Sequence, residues 1–141
     1  KKAKDIYYTF LPSIPLMYAI GKIGCFLVGC CYGMKYSGPG SIIYNYSSIA
    51  PKNTSLFPVQ ILETLIFTLI FIYTIKKTIK NKFNNKELGI FIILCGISKF
   101  LLDFLRMKTT SNIFSTNQLL SLVFIFIGIF IFIKYLKEEN D

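Results

Sequence analysis

The sequence predicts an all-α membrane protein, a polytopic bundle of about four transmembrane helices with both termini cytoplasmic. Three observations predict it. Of the 141 residues, 53% are apolar and only 16% charged, with a mean hydropathy of +0.55, a balance that suits lipid better than water. Four apolar blocks, at 11–32, 57–75, 88–105 and 119–136, are each long enough to cross a hydrocarbon core of about 30 Å at about 1.5 Å per residue. The basic residues, finally, sort by side.

That sorting accounts for a net charge of +9. Lys1, Lys2 and Lys4 precede the first span, Lys76, Lys77, Lys80, Lys82 and Lys86 lie between the second and third, and Lys134 and Lys137 follow the last. The opposite side has Lys35, Lys52, Lys108 and, at its edge, Arg106. The positive-inside rule therefore places both termini and the lysine loop in the cytoplasm, where the lysines meet anionic headgroups and fix topology. Nucleic-acid binding is excluded as the meaning of the charge, because no soluble unit is present to carry it.

KKAKDIYY reads as a cytoplasmic loop running into the first span, with no signal peptide, and the chain reads as one membrane domain over 1–141, the C-terminal part of something longer. Pro12, Pro15 and several glycines interrupt the first span. The loop MKYSGPGSIIYNYSSIAPKNTSL follows on the outer side; SGPG is a turn signal and SIIYNY has the composition of a short strand or hairpin. The second span opens at Pro58, a favoured first helical position. The lysine loop needs no role beyond topology. The third span runs out in FLRMKTTSNIFSTNQ, and SLVFIFIGIFIFIKYL, apolar all round, reads as a plain anchor.

Function is sought in the residues a lipid-facing helix should not have. A charge at membrane depth costs about 2.5–3.5 kcal/mol on insertion scales, so Lys22, Glu63, Lys99, Asp103 and Arg106 are the candidates. Lys99, Asp103 and Arg106 fall at i, i+4 and i+7, one face of a helix, with Cys95 one turn deeper. Gln60 and Glu63 lie within two turns of a helix N-terminus, whose dipole favours an ionised carboxylate. Lys22, Cys25, Gly29 and Gly33 share a face at i, i+3, i+7 and i+11, and the glycines leave room for a helix or a ligand. Ion pairs that lock a bundle would use some of these charges. Three cations against two acids, however, leave a positive excess, which suits an anionic ligand such as a phospholipid phosphate.

Cys25, Cys30, Cys31 and Cys95 show no CxxC spacing, and on a continuous helix Cys31 points away from Lys22, so the thiols do not converge and read as small packing residues. No histidine occurs, which excludes histidine catalysis from within this chain.

GKIGCFLVGCCYG (21–33) resembles the signature segment of the bacterial prolipoprotein diacylglyceryl transferases in its GRxGCFxxGCCYG form. SSIAPKNTSLFPVQILE is similar to that family's stretch leading into HPxQLYE, SKFLLDFLR to its R-x-x-x-E-x-x-R element, and STNQLLS to its GQxLS. Order and spacing hold over 21–121. The resemblance implies a multi-pass enzyme of the bacterial cytoplasmic membrane, active in lipoprotein biosynthesis. Such an enzyme moves diacylglyceryl from phosphatidylglycerol to the lipobox cysteine thiol of a prolipoprotein signal peptide, with no cofactor and no resident metal. On that resemblance Glu63, Lys99, Asp103 and Arg106 are the catalytic candidates, and Lys22, Gly33, Gln60 and Gln118 hold the phospholipid headgroup. Lys22 and Lys99 stand where the motifs have arginine, Asp103 where they have glutamate, Phe57 where they have histidine and Leu62 where they have tyrosine. Two other functions remain open: a lipid-binding membrane subunit that keeps the fold, and a thiol-redox membrane protein working through Cys30 and Cys31.

Overall fold

The computed structural model describes residues 2–80, 83–107 and 115–140; Lys1, Asn81, Lys82 and Lys108, with the rest of the loop to 114, lie outside the described residues. Lys2–Phe10 is a helix, α1, rather than the loop expected there, and α2 follows at Ser13–Val28. Pro12 has no N–H to continue the ladder, and the Ser13 hydroxyl bridges the break by donating to the Phe10 carbonyl at 2.6 Å. The two helices together supply an apolar run over Ile6–Val28, beginning and ending earlier than the 11–32 expected.

The early end has a local cause. Gly29 adopts φ +77°, and its N–H donates to the carbonyls of Cys25 and Phe26, which closes α2 at Val28. Gly29 and Gly33 therefore do not continue a helical face with Lys22 and Cys25.

α3 spans Val59–Ile79, with Pro58 as its cap rather than its first residue. The hydroxyls of Thr64, Thr68, Thr74 and Thr78 each donate to the carbonyl four residues back, so none is left unsatisfied in an apolar setting. α4 spans Asn85–Phe104, capped by the Asn84 side chain, which accepts from the Glu87 N–H at 3.0 Å. Because α4 stops at Phe104, Arg106 lies beyond the helix and the expected helical stripe ends at Asp103. α5 spans Thr116–Asn140.

Among the described residues, three helices are long and apolar enough to cross a membrane: Ile6–Val28, Val59–Ile79 and Thr116–Lys137. α4, with Lys86, Glu87, Lys99 and Asp103, is not among them. It is held on both sides nonetheless. Lys77 and Glu87 join α3 to α4 at 2.7 Å. α5 lies against α4 so closely that a Cβ on Gly89 would sit 3.0 Å from the Gly128 carbonyl oxygen, and one on Gly96 2.7 Å from Ile125. The last helix is thus a packed partner, not a plain anchor. Leu11, Ala19, Val59, Phe67, Phe91 and Leu102 belong to the buried core between these helices.

The hairpin expected near SIIYNY is present: β1 (Ile42–Ile43) pairs antiparallel with β2 (Ser55–Leu56). Tyr44, Ala50 and Leu56 give this cap a small core of its own. Residues 33–36 stitch it to the helix ends. Gly33 N–H donates to the Phe57 carbonyl at 3.2 Å, Met34 N–H to that of Leu105 at 2.9 Å, and Tyr36 N–H to that of Ser55 at 3.0 Å.

Candidate functional site

Lys22 on α2 and Glu63 on α3 both sit in apolar helix bodies, and each is almost wholly buried. Their charged groups meet 2.7 Å apart. A buried charge is tolerable only when paired, so each of these residues explains the other. Tyr18, one turn before Lys22, extends the pair: its hydroxyl donates to the other Glu63 oxygen at 3.1 Å and accepts from the Lys99 ammonium of α4. The Lys99 nitrogen also lies 4.2 Å from the centre of the Tyr18 ring. A continuous polar chain, Lys22–Glu63–Tyr18–Lys99, thus joins three helices.

Asp103, one helical turn beyond Lys99, faces a different set of partners. It accepts from the Ser115 hydroxyl and, at 3.5 Å, from the Asn117 amide, and the Arg106 guanidinium stands 4.0 Å away. Arg106 keeps that position although α4 has ended. The reason is backbone pairing: Arg106 forms an isolated antiparallel bridge with Gly33. Gly33 is buried there, where a Cβ would fall 2.4 Å from the Phe57 carbonyl oxygen and 3.0 Å from that of Leu105. Its role in the structure is to let two backbones approach.

Gln60, fully buried, donates to the Cys30 carbonyl at 2.8 Å and so ties α3 to the end of α2. Gln118 is a capping residue. The Ser115 N–H donates to its side-chain oxygen at 3.0 Å while its own N–H donates to the Ser115 hydroxyl at 3.1 Å, the reciprocal S-x-x-Q box at a helix start. Its amide nitrogen has no partner among the described residues, nor does the side-chain oxygen of Gln60.

The cysteines overturn one expectation. The Sγ atoms of Cys25, Cys30 and Cys31 lie within 4.8 Å of one another, because the chain turns at Gly29 instead of continuing as helix. Sequence reasoning also missed Tyr18, Ser115 and Asn117. Tyr18 had a usable signal, its i, i+4 spacing to Lys22, and Ser115 had the capping box.

Counted together, Lys22, Lys99 and Arg106 face Glu63 and Asp103, which leaves one positive charge in excess. Lys99 has no carboxylate within 4.0 Å among the described residues; its neighbours are the hydroxyl and ring of Tyr18. Beside Lys99 opens a cavity of about 540 Å³, lined by Tyr18, Lys99 and Asn117 at its polar margin and by side chains such as Leu11, Phe91 and Phe124 elsewhere. A cation set over an apolar cavity fits a ligand with an anionic head and a hydrocarbon body.

The family described as prolipoprotein diacylglyceryl transferase matches residues 3–134. The chain is 34% identical over 124 residues to a phosphatidylglycerol–prolipoprotein diacylglyceryl transferase of Clostridium tetani, covering 86% of this chain and 50% of that protein. It is 30% identical over 134 residues to phosphatidylglycerol–prolipoprotein diacylglyceryl transferase 2 of Clostridium perfringens, covering 93% and 52%. A protein of the first name from Dehalococcoides mccartyi is 28% identical over 134 residues, covering 93% and 51%. The chain spans about half the length of the curated relatives it matches. No solved structure gives a significant match. Three helices able to cross a membrane accord with these relatives, and a match across nearly the whole chain decides the family: this membrane protein belongs to the prolipoprotein diacylglyceryl transferases.

Proposed function

We propose that this chain supplies the headgroup side of a site that transfers diacylglyceryl from phosphatidylglycerol to the lipobox cysteine of prolipoproteins, at the outer face of the bacterial cytoplasmic membrane. The observation that carries the reading is Lys99, a cation with no carboxylate within 4.0 Å among the described residues, on the wall of an apolar cavity in a chain of this family. The cations hold the phosphate, and the cavity takes the acyl chains. The incoming thiol sulfur forms a C–S bond to the glyceryl carbon as the C–O bond to phosphate breaks, releasing glycerol phosphate. Charge then builds on the departing phosphate, where Lys99 and Arg106 stabilise it. The thiol proton passes to a carboxylate, Asp103 or Glu63. Gln60 and Gln118, each with an amide atom that has no partner among the described residues, hydrogen-bond the glycerol hydroxyls. Lysine at positions 22 and 99 offers phosphate a point charge rather than a two-pronged fork.

A second reading, a lipid-binding subunit without catalysis, is favoured by one observation: the chain has no histidine, and Phe57 fills the position where the family motif has one.

The deciding experiment expresses the protein in bacteria depleted of their own transferase and follows a prolipoprotein by mass. A gain of one diacylglyceryl group supports transfer. Binding of phosphatidylglycerol without that gain supports the second reading and overturns the first.

A further inference from the structure

One group of side chains is not used by the transferase reading. The Sγ atoms of Cys25, Cys30 and Cys31 lie within 4.8 Å of one another, and each residue is half-buried with a free thiol. Two backbone features bring them together. Gly29, at φ +77°, reverses the chain, and the Cys30 N–H still reaches the Cys25 carbonyl at 3.0 Å. Cys31 then takes φ +54°, a left-handed conformation that a side chain rarely adopts. Neighbouring side chains on an extended segment point to opposite faces. The left-handed turn at Cys31 cancels that alternation, so two adjacent thiols meet a third from the preceding helix.

The geometry points to a site for one soft, thiophilic metal ion of the copper(I) type, held by three thiolates in a plane. Metal–sulfur bonds of about 2.3 Å set three sulfurs about 4 Å apart, a small closure from the present spacing. Thiolates select soft ions. Among the described residues no histidine or carboxylate joins the cluster, and the Cys30 carbonyl is taken by Gln60, so the fourth donor that a structural zinc site requires is lacking. Binding forms three metal–sulfur bonds and releases three thiol protons to solvent, with no electron transferred. One positive charge then meets three negative ones at the half-buried end of α2. A disulfide, in contrast, would occupy two thiols, leave the third idle and need an oxidant.

The test titrates the purified protein, in detergent micelles under reducing and oxygen-free conditions, with copper(I) and separately with zinc(II), each against a chromophoric chelator. One equivalent of copper(I) should be retained, protecting three of the four thiols from alkylation as read by mass. Losing even an outer partner of a metal ligand costs about 10–100-fold in affinity, so Cys25→Ser, Cys30→Ser and Cys31→Ser should each weaken retention by more than about tenfold. Cys95→Ser, outside the cluster, should retain copper like the parent. Equal retention by the triple serine variant, zinc held as tightly as copper(I), no protection of the parent's thiols, or a disulfide among the three in protein whose thiols were blocked at lysis would each overturn the site. The protection pattern of the parent needs no variant to fold. Diacylglyceryl transfer is read separately, so the failure of either proposal leaves the other standing.

Discussion

The ammonium of Lys22 and a carboxylate oxygen of Glu63 stand 2.7 Å apart inside the bundle, one on α2 and the other on α3. Such a pair is costly to break from one side only. Glu63→Gln should destabilise the protein by about 3–5 kcal/mol, because it leaves a buried ammonium uncompensated. The double change Lys22→Met with Glu63→Leu should recover most of that loss. Thermal unfolding in micelles reads both, and equal destabilisation by the single and double variants would show that the pair is not the cause.

Tyr18 links that pair to Lys99 through its hydroxyl while its ring packs under the ammonium. Tyr18→Phe keeps the ring and removes the link. Hydrogen bonds to charged groups contribute about 1.5–3 kcal/mol, so transfer to a prolipoprotein should fall by about ten- to a hundredfold. Paired measurements of transfer rate and unfolding temperature check this, and an unchanged rate would remove Tyr18 from the site.

Arg106 and Lys80 carry the same charge at opposite ends of the bundle. Arg106→Ala should lower transfer by about 10²–10³-fold, the usual cost of losing one donor aimed at developing charge. Lys80→Ala should leave it intact. Equal effects of the two would sink the headgroup pocket.

Gly33→Ala places a Cβ 2.4 Å from the Phe57 carbonyl oxygen, and backbone cannot give way as a flexible side chain does. It should open the bridge to Arg106 and cost both stability and transfer. Gly21→Ala, with nothing within 4 Å of the new carbon, should lose neither. The two glycines separate a packing requirement from a merely small residue, and matching unfolding temperatures for the two variants would contradict it.

The site was legible where its chemistry was out of place. Lys22, Glu63, Lys99 and Asp103 stand out because lipid makes any charge expensive. Tyr18 did not, since a tyrosine in an apolar helix body carries no charge to set it apart from packing aromatics. Gln118 carries a second signal beside its amide, the S-x-x-Q pattern from Ser115 that announces a helix start. The hairpin at Ile42–Ile43 followed from composition. The convergence of the cysteines and the true setting of Gly33 were hidden by one assumption, that helical periodicity runs on past Gly29. A single residue at positive φ ends that periodicity, and every angle reckoned beyond it is lost.

Ser115 and Gly128 ride on the same stretch of chain. Ser115 caps α5 and hydrogen-bonds Asp103, while Gly128, about 20 Å further along at 1.5 Å per residue, is seated on Gly89 of the neighbouring helix. A rod gripped at one point cannot slide at another. The aim of the Asp103 carboxylate is therefore set in part by the meshing of two helices at Gly89 and Gly128, far along the chain from the carboxylate itself.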